Sequence, residues 1–119
     1  MNERIDHEVA GGVYDGRMWK VVERGFDVTH HWYCGYVELL QKDYYYHDAE
    51  AAEKELPALG GITYSSDVYG PLPGLPEEMK FIGFDTNHAL TQDLTQRQTT
   101  VETIELAKLL NDLDGDRYD

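Results

Sequence analysis

The sequence predicts an α+β fold: a single antiparallel sheet, a long C-terminal helix packed on it, and a short helix between strands. Short runs rich in aromatic and β-branched residues, typical of strands, precede one run with helical spacing at residues 99–113. A second run at 48–56, rich in Ala, Glu and Lys, predicts the short helix. Successive strands with short connections favour an antiparallel sheet with the helix on one face.

The strongest predicted strand runs from His30 to Leu40. Strand alternation places one set of side chains on one face (His30, Trp32, Cys34, Tyr36, Glu38) and the next set on the other (His31, Tyr33, Gly35, Val37, Leu39). Both faces carry large side chains, so we expect a helix to cover one face and a loop or another subunit to cover the other. Further strands are predicted at 18–22, 62–66 and 80–85.

The C-terminal helix is predicted to begin at a capping box formed by Thr99 and Glu102, after an irregular connection at 87–98. Its apolar side chains form a wide stripe: Val101, Ile104, Ala107 and Leu110, widened by Leu106, Leu109 and Leu113. Such a stripe can serve a sheet and a partner subunit together. We therefore expect a homo-oligomer, a dimer or higher.

The length of 119 residues predicts one domain spanning 1–119. Residues 1–16 are expected to be a mobile or loosely docked arm, and residues 114–119 a frayed tail. The stretch 67–78 holds three of the four prolines and predicts a long loop. Long loops of this kind are about as often ordinary surface loops as functional ones, so both readings stay open for residues 67–78.

The charge balance excludes several kinds of partner. Ten basic residues stand against 23 acidic ones, a net charge of −13, so nucleic-acid polymers and anionic membranes are disfavoured. A small anionic ligand requires a pocket that is locally basic. No apolar run approaches the roughly 18 residues of a membrane span, and the charged start of the chain lacks a signal core. The predicted location is the cytoplasm.

The sequence predicts no metal site and no cofactor. His30, His31, His47 and His88 do not stand at a metal-binding spacing. Cys34 is the only cysteine, which excludes an internal disulfide. Its place inside a strand indicates a small buried hydrophobe rather than a nucleophile.

Two polar strand ends form the most informative cluster, at residues 60–65 and 83–88. Phe84 and Tyr64 offer flat faces for a nucleobase, and Asp85 and Asn87 offer hydrogen bonds to a diol or a base. Arg97, Lys80, Arg17 and the amides at the helix start are candidates for phosphate. The alternative is a strand end with turn-forming polar residues, which composition alone favours.

Three motifs carry a resemblance over about residues 32–113. They are Trp32-Tyr33-Cys34-Gly35-Tyr36-Val37, Gly60-Gly61-Ile62-Thr63-Tyr64-Ser65 and Phe81-Ile82-Gly83-Phe84-Asp85-Thr86-Asn87-His88. In this order they resemble small phage proteins, the first class of Thoeris anti-defence proteins. These are sponges that bind cyclic ADP-ribose isomers made by TIR-domain enzymes and do not cleave them; related sponges take up cyclic oligonucleotides.

The resemblance implies a pocket around Phe84, Asp85, Asn87 and His88, with Tyr36, Thr63 and Tyr64 nearby. Arg97 is its first choice for a pyrophosphate contact and Arg17 its second. It also implies an oligomer with pockets near a subunit interface, in the cytoplasm of a bacterial host. The chain departs from the family at Leu59, where the family has His. It departs again after His88, so the ligand residues of the loop that follows His88 stay open.

Two other functions remain open at the level of sequence. A nucleotide hydrolase would use Asp85 and His88, three residues apart, as its acid–base pair. A protein-binding inhibitor would use the acidic surface to block a basic host protein.

Overall fold

One five-stranded antiparallel sheet forms the centre of the protein. A computed structural model describes residues 5–27, 30–57, 61–66, 78–86 and 94–118. The strands are Ile5–Tyr14 (β1), Arg17–Asp27 (β2), His30–Leu39 (β3), Tyr64–Ser65 (β4) and Lys80–Asp85 (β5). Their order across the sheet is β1-β2-β3-β5-β4. A 3-10 turn at Tyr44–Tyr46 precedes helix α1, Ala49–Glu55, and helix α2 spans Gln96–Tyr118. The α+β prediction is confirmed.

A long hairpin at one edge of the sheet is formed by β1 and β2. Asp15 and Gly16 make its turn with φ angles of 47° and 86°, the combination that two-residue hairpin turns require. Pairing runs from Tyr14 opposite Arg17 out to the far end of β1. The strand predicted at 18–22 lies inside β2. The described part of the segment expected to form an arm, residues 5–14, is thus an edge strand of the sheet.

Helix α2 begins one turn earlier than the sequence analysis placed it. Thr95 and Gln98 form the reciprocal cap, since Gln98 N donates to Thr95 Oγ1 at 3.1 Å and Thr95 N donates to Gln98 Oε1 at 2.9 Å. The prediction of an irregular connection is therefore wrong at residues 96–98. In the described residues, no helix is long and apolar enough to span a membrane.

The face of the sheet under α2, here the helix face, holds the larger apolar core. It joins Val37, Leu39, Ile82 and Phe84 to Leu106, Ala107 and Leu110 of the helix. Val101 of the predicted stripe is 51% exposed and lies outside this core. The row facing the sheet is completed by Thr99 and Thr103, both fully buried. Each hydroxyl donates to the carbonyl four residues earlier, so these threonines are buried with their hydrogen bonds made.

Close approach of α2 to the sheet depends on Gly35 in β3. A Cβ atom at this position would lie 2.1 Å from Thr103 Oγ1 and 2.6 Å from the Phe84 ring. Only glycine leaves room for the helix and for Phe84 at once. The glycine within the strongest predicted strand is thus explained by packing.

The opposite face of the sheet, here the tyrosine face, carries a second buried cluster. Its members are Val22, Cys34, Tyr36, Tyr64 and Phe81, with Met18, Trp32 and Met79 packed against them. Alternation within β3 therefore separates Cys34 and Tyr36 from Val37 and Leu39 as predicted. Both faces of β3 therefore carry buried side chains, as the sequence indicated.

Candidate functional site

A buried arginine lies among aromatic rings on the tyrosine face. Arg24 of β2 is 8% exposed, and its Nε donates to the Tyr36 hydroxyl at 3.1 Å. Its guanidinium carbon stands 5.5 Å from the centroid of the Tyr36 ring, within the range of a cation–π contact. Trp32 is the direct cross-strand neighbour of Arg24. A cation is thus held where water is largely excluded.

Two tyrosines extend this aromatic surface across β5. The rings of Tyr36 and Tyr64 meet edge to face, with centroids 5.5 Å apart. Gly83 lies between their strands, and a Cβ there would come within 2.5 Å of the Tyr36 ring. Gly83 therefore lets the phenol of Tyr36 lie flat across the neighbouring strand. The close backbone approach predicted for glycines in these strands is confirmed at Gly83.

The carboxylate of Asp85 lies on the same face. Asp85 is paired directly with Cys34 across the β3–β5 ladder, and it is partly exposed. Its Oδ2 accepts a hydrogen bond from Thr63 Oγ1 at 2.9 Å. Thr63 N also donates to the Gly83 carbonyl at 2.9 Å, which fixes the Thr63 backbone beside β5. We call Arg24, Trp32, Cys34, Tyr36, Tyr64 and Asp85 the Arg24 cluster.

The interior of the Arg24 cluster favours neutral thiol and phenol groups. Burial raises the pKa of the Cys34 thiol, against smaller lowering contributions from Tyr36 and Arg24. Burial is also the main reason that the pKa of the Tyr36 hydroxyl is raised, again with Arg24 acting in the opposite direction. Cys34 is therefore a protonated thiol at neutral pH, which agrees with the prediction of a small hydrophobe.

The structure brings four of the predicted ligand residues together. Tyr36, Tyr64 and Asp85 belong to the Arg24 cluster, and Thr63 is hydrogen-bonded to it. Phe84, 1% exposed, lies on the helix face and packs in the core there. Asn87 and His88 lie outside the described residues.

The two arginines that the resemblance gave as pyrophosphate contacts lie elsewhere. Arg17 is fully buried on the helix face, where both of its terminal nitrogens contact Asp43. It also donates to the Glu38 carbonyl at 2.9 Å and to Asn111 Oδ1 at 3.0 Å. These bonds join the start of β2, the end of β3 and α2. Arg97 is exposed in the first turn of α2, where it lines an open cavity of about 340 Å³ with Leu94 and Val101.

Sequence reasoning missed Arg24 and Trp32 as candidate ligand residues. The predicted strand ended at Val22, two residues before Arg24, so the pairing of β2 with the start of β3 was not considered. Continuing the alternation of β2 would have placed Arg24 on the face of Val22. The chain offers this signal in Glu23-Arg24, charged residues that interrupt an otherwise strand-like run.

Among the described residues, no three His, Cys, Asp or Glu side chains are grouped so that they could hold a metal ion. No family model matches the chain, and neither a curated protein nor a solved structure matches it. The function is therefore inferred from the geometry of the site and from the motifs in the sequence.

Proposed function

We propose that this protein binds and sequesters a small cyclic nucleotide signal, a cyclic ADP-ribose isomer made by TIR-domain enzymes, without cleaving it. The observation that carries the proposal is the Arg24 cluster: one guanidinium, two tyrosine rings and one carboxylate on a single face. These are the groups that a phosphate, a base and a ribose diol require. The motif resemblance supports the same ligand class.

Each part of the cluster has a role in the proposed complex. Arg24 supplies positive charge for a phosphate, and the forked guanidinium suits two oxygens at once. Asp85 is held in place by the hydrogen bond from Thr63, and it accepts hydrogen bonds from a ribose diol. Arg24 and Asp85 stand on the strands that flank β3, opposite Trp32 and Cys34 respectively, so their Cα atoms are about 12 Å apart across the sheet. A ligand that contacts both must cross β3 above Trp32 and Cys34.

The buried position of Arg24 also explains how so acidic a chain could bind an anionic ligand. A chain with a formal charge of −13 repels a dianion at long range. A cation that is only 8% exposed is screened far less than a surface lysine, so it provides the local positive potential that such a ligand needs. The proposed protein acts in the cytoplasm of a bacterial host as a homo-oligomer, and it relies on tight binding rather than on turnover.

The first test is a thermal-shift panel of cyclic ADP-ribose isomers and cyclic di- and trinucleotides with the full chain. One ligand is expected to raise the melting temperature strongly, because a ligand bound only to the folded state stabilises it by mass action. The ligand is then released by heat and examined by chromatography. Recovery of unaltered ligand supports sequestration.

Three outcomes separate the proposal from its alternatives. Altered ligand would identify a hydrolase, for which Asp85 and His88 are the candidate acid–base pair. No shift with any nucleotide would overturn the proposal. A salt-sensitive complex with a basic host protein, found in that case, would indicate an acidic inhibitor instead.

A further inference from the structure

A second cation lies on the same strand and the same face as Arg24. Lys20, Val22 and Arg24 alternate along β2 in an unbroken register with β3, so all three side chains point to the tyrosine face. Lys20 stands directly opposite Tyr36, whose hydroxyl accepts the hydrogen bond from Arg24. Lys20 and Arg24 therefore flank Val22 and share Tyr36 as a neighbour.

Lys20 is ion-paired with Glu8 of β1. The register places Glu8 opposite Val22 and Gly11 opposite Lys20, so the ion pair runs diagonally over Gly11. A Cβ atom on Gly11 would lie 3.5 Å from Glu8 Oε2, which shows that the carboxylate lies beside this glycine. The pair is at the rim of the tyrosine face, where the Lys20 side chain is 20% exposed and the Glu8 side chain 48%.

A β-bulge in β1 gives Glu8 this position. The pairing of β1 with β2 shifts between Glu8 and Ala10, which leaves Val9 as the extra residue. Beyond the shift, Gly11 rather than Ala10 shares a face with Glu8. The side chain of Gln96 donates to the Val9 carbonyl at 3.2 Å, which ties the bulge to the first turn of α2. The bulge thus aims the carboxylate at the cation.

Lys20 differs from Arg24 in how firmly its charge is held. Water competes for both charges of a partly exposed ion pair, so such a pair is easily broken. The flexible stem of a lysine also lets its ammonium turn to a new partner. Because Tyr36 stands opposite Lys20, the Arg24 side chain must lean along β2 toward Lys20 to reach the Tyr36 hydroxyl. The two cations can therefore meet over Val22, although their Cα atoms are about 13 Å apart.

We propose, as a refinement that rests on the proposed function, that the ligand carries a diphosphate bridge whose two phosphates are bound by Arg24 and Lys20 together. Glu8 holds Lys20 in the unliganded protein and is displaced when the ligand binds. A diphosphate brings two negative charges against the single charge of Glu8, so the exchange is favourable. Two cations that converge over one valine fit adjacent phosphates better than the separate phosphodiesters of a cyclic dinucleotide.

A double-mutant cycle measures the exchange. The native chain, Glu8→Gln, Lys20→Met and the double variant are titrated calorimetrically with inorganic pyrophosphate, with each cyclic ADP-ribose isomer and with a cyclic dinucleotide. We expect Glu8→Gln to bind pyrophosphate and one isomer about threefold more tightly, because the competing carboxylate is removed. We expect Lys20→Met to bind both about tenfold more weakly. In the Lys20→Met background, Glu8→Gln is expected to add nothing, because its effect acts through Lys20.

Two variants on exposed α1 make the same charge changes away from the site. Glu53→Gln and Lys54→Met are expected to bind each probe within about twofold of the native chain, since distant exposed charges are screened. Circular dichroism shows whether each variant is folded. Equal gains from Glu8→Gln and Glu53→Gln would overturn the proposal, because net charge alone would then explain them.

The separate probes distinguish a failure of this phosphate site from a failure of the proposed function. Pyrophosphate binding with the expected pattern, but no binding of any isomer, would support the two-cation site and overturn the proposed function. Binding of an isomer that Glu8→Gln and Lys20→Met both leave unchanged would overturn the two-cation site alone. An equal loss of cyclic dinucleotide affinity in Lys20→Met would overturn the choice of a diphosphate. No binding of any probe would overturn both.

Discussion

Two buried arginines on one strand have different roles. Arg17 and Arg24 are seven residues apart in β2 and therefore point to opposite faces of the sheet. Arg17 contacts Asp43, Asn111 and the backbone of β3, all on the helix face. Arg24 contacts the hydroxyl and the ring of Tyr36. The first arginine joins three elements of the fold, whereas the second places a cation against aromatic groups, where we propose that the ligand binds.

The largest expected effect is at the ion pair of Arg17. Replacing it as Arg17→Met leaves the buried Asp43 carboxylate without its cation, and we expect the free energy of unfolding to fall by about 3–5 kcal/mol. Urea denaturation measures this loss. The exposed control Lys54→Met is expected to stay within about 0.5 kcal/mol of the native chain.

The double variant of Arg17→Met with Asp43→Leu keeps this prediction testable if the single variant does not fold. Because it removes both charges, it is expected to recover part of the loss. A single variant as stable as Lys54→Met would show that the ion pair does not hold the helix face together.

Gly35→Ala tests how closely α2 packs on that face. The added methyl would lie 2.1 Å from Thr103 Oγ1, and we expect a loss of about 3 kcal/mol from overpacking. Gly11→Ala in β1 is the matched control, because its nearest neighbour would be 3.4 Å away. Thermal denaturation of both variants measures the difference. Equal melting temperatures would contradict the packing described for α2.

Tyr36→Phe tests the hydrogen bond between Arg24 and Tyr36 on the tyrosine face. It removes the hydroxyl that accepts from Arg24 Nε but keeps the ring, so we expect a loss of about 1 kcal/mol in stability. Nucleotide affinity is expected to fall by about tenfold, because the guanidinium loses a positioning partner. Tyr14→Phe, beside the helix face, is the control for both measurements. Unchanged affinity in Tyr36→Phe would separate this hydroxyl from the site.

The smallest effect is in the pH dependence of stability. The pKa values of Cys34 and Tyr36 are raised in the folded chain, so the folded state holds their protons to higher pH than the unfolded state does. Their contribution is complete below the unfolded thiol value of about 8.5 and declines as pH rises above it. Urea unfolding between pH 7 and 10 is expected to show this decline, and Cys34→Ala is expected to reduce it. A stability that rises over this range would contradict the assignment.

The sequence predicted the fold class, the strand at residues 80–85 and the separation of the two faces of β3, because strand alternation leaves a direct pattern. It misplaced the start of α2, since Thr95-Gln98 and Thr99-Glu102 are both valid capping boxes and only packing chooses between them. It also placed Val101 in the apolar stripe of α2 and left out Thr103, which is fully buried. A threonine that bonds its own helix can be buried, and hydropathy does not record this.

The candidate site was only partly predictable for a related reason. Tyr36, Tyr64, Thr63 and Asp85 were recognised from motifs within single strands. Arg24 joins them only through the register of β2 on β3, which depends on pairing between distant parts of the chain.

The most direct test of the account is a calorimetric titration of the nucleotide identified in the thermal-shift panel into three proteins: the native chain, Arg24→Met and Arg97→Met. We expect Arg24→Met to lose affinity by at least about a hundredfold, since a buried charge-assisted contact is removed, whereas Arg97→Met is expected to bind within about threefold of the native chain. Circular dichroism confirms that each variant is folded. Strong binding by a folded Arg24→Met, with binding lost in Arg97→Met, would contradict the account and place the ligand beside the start of α2.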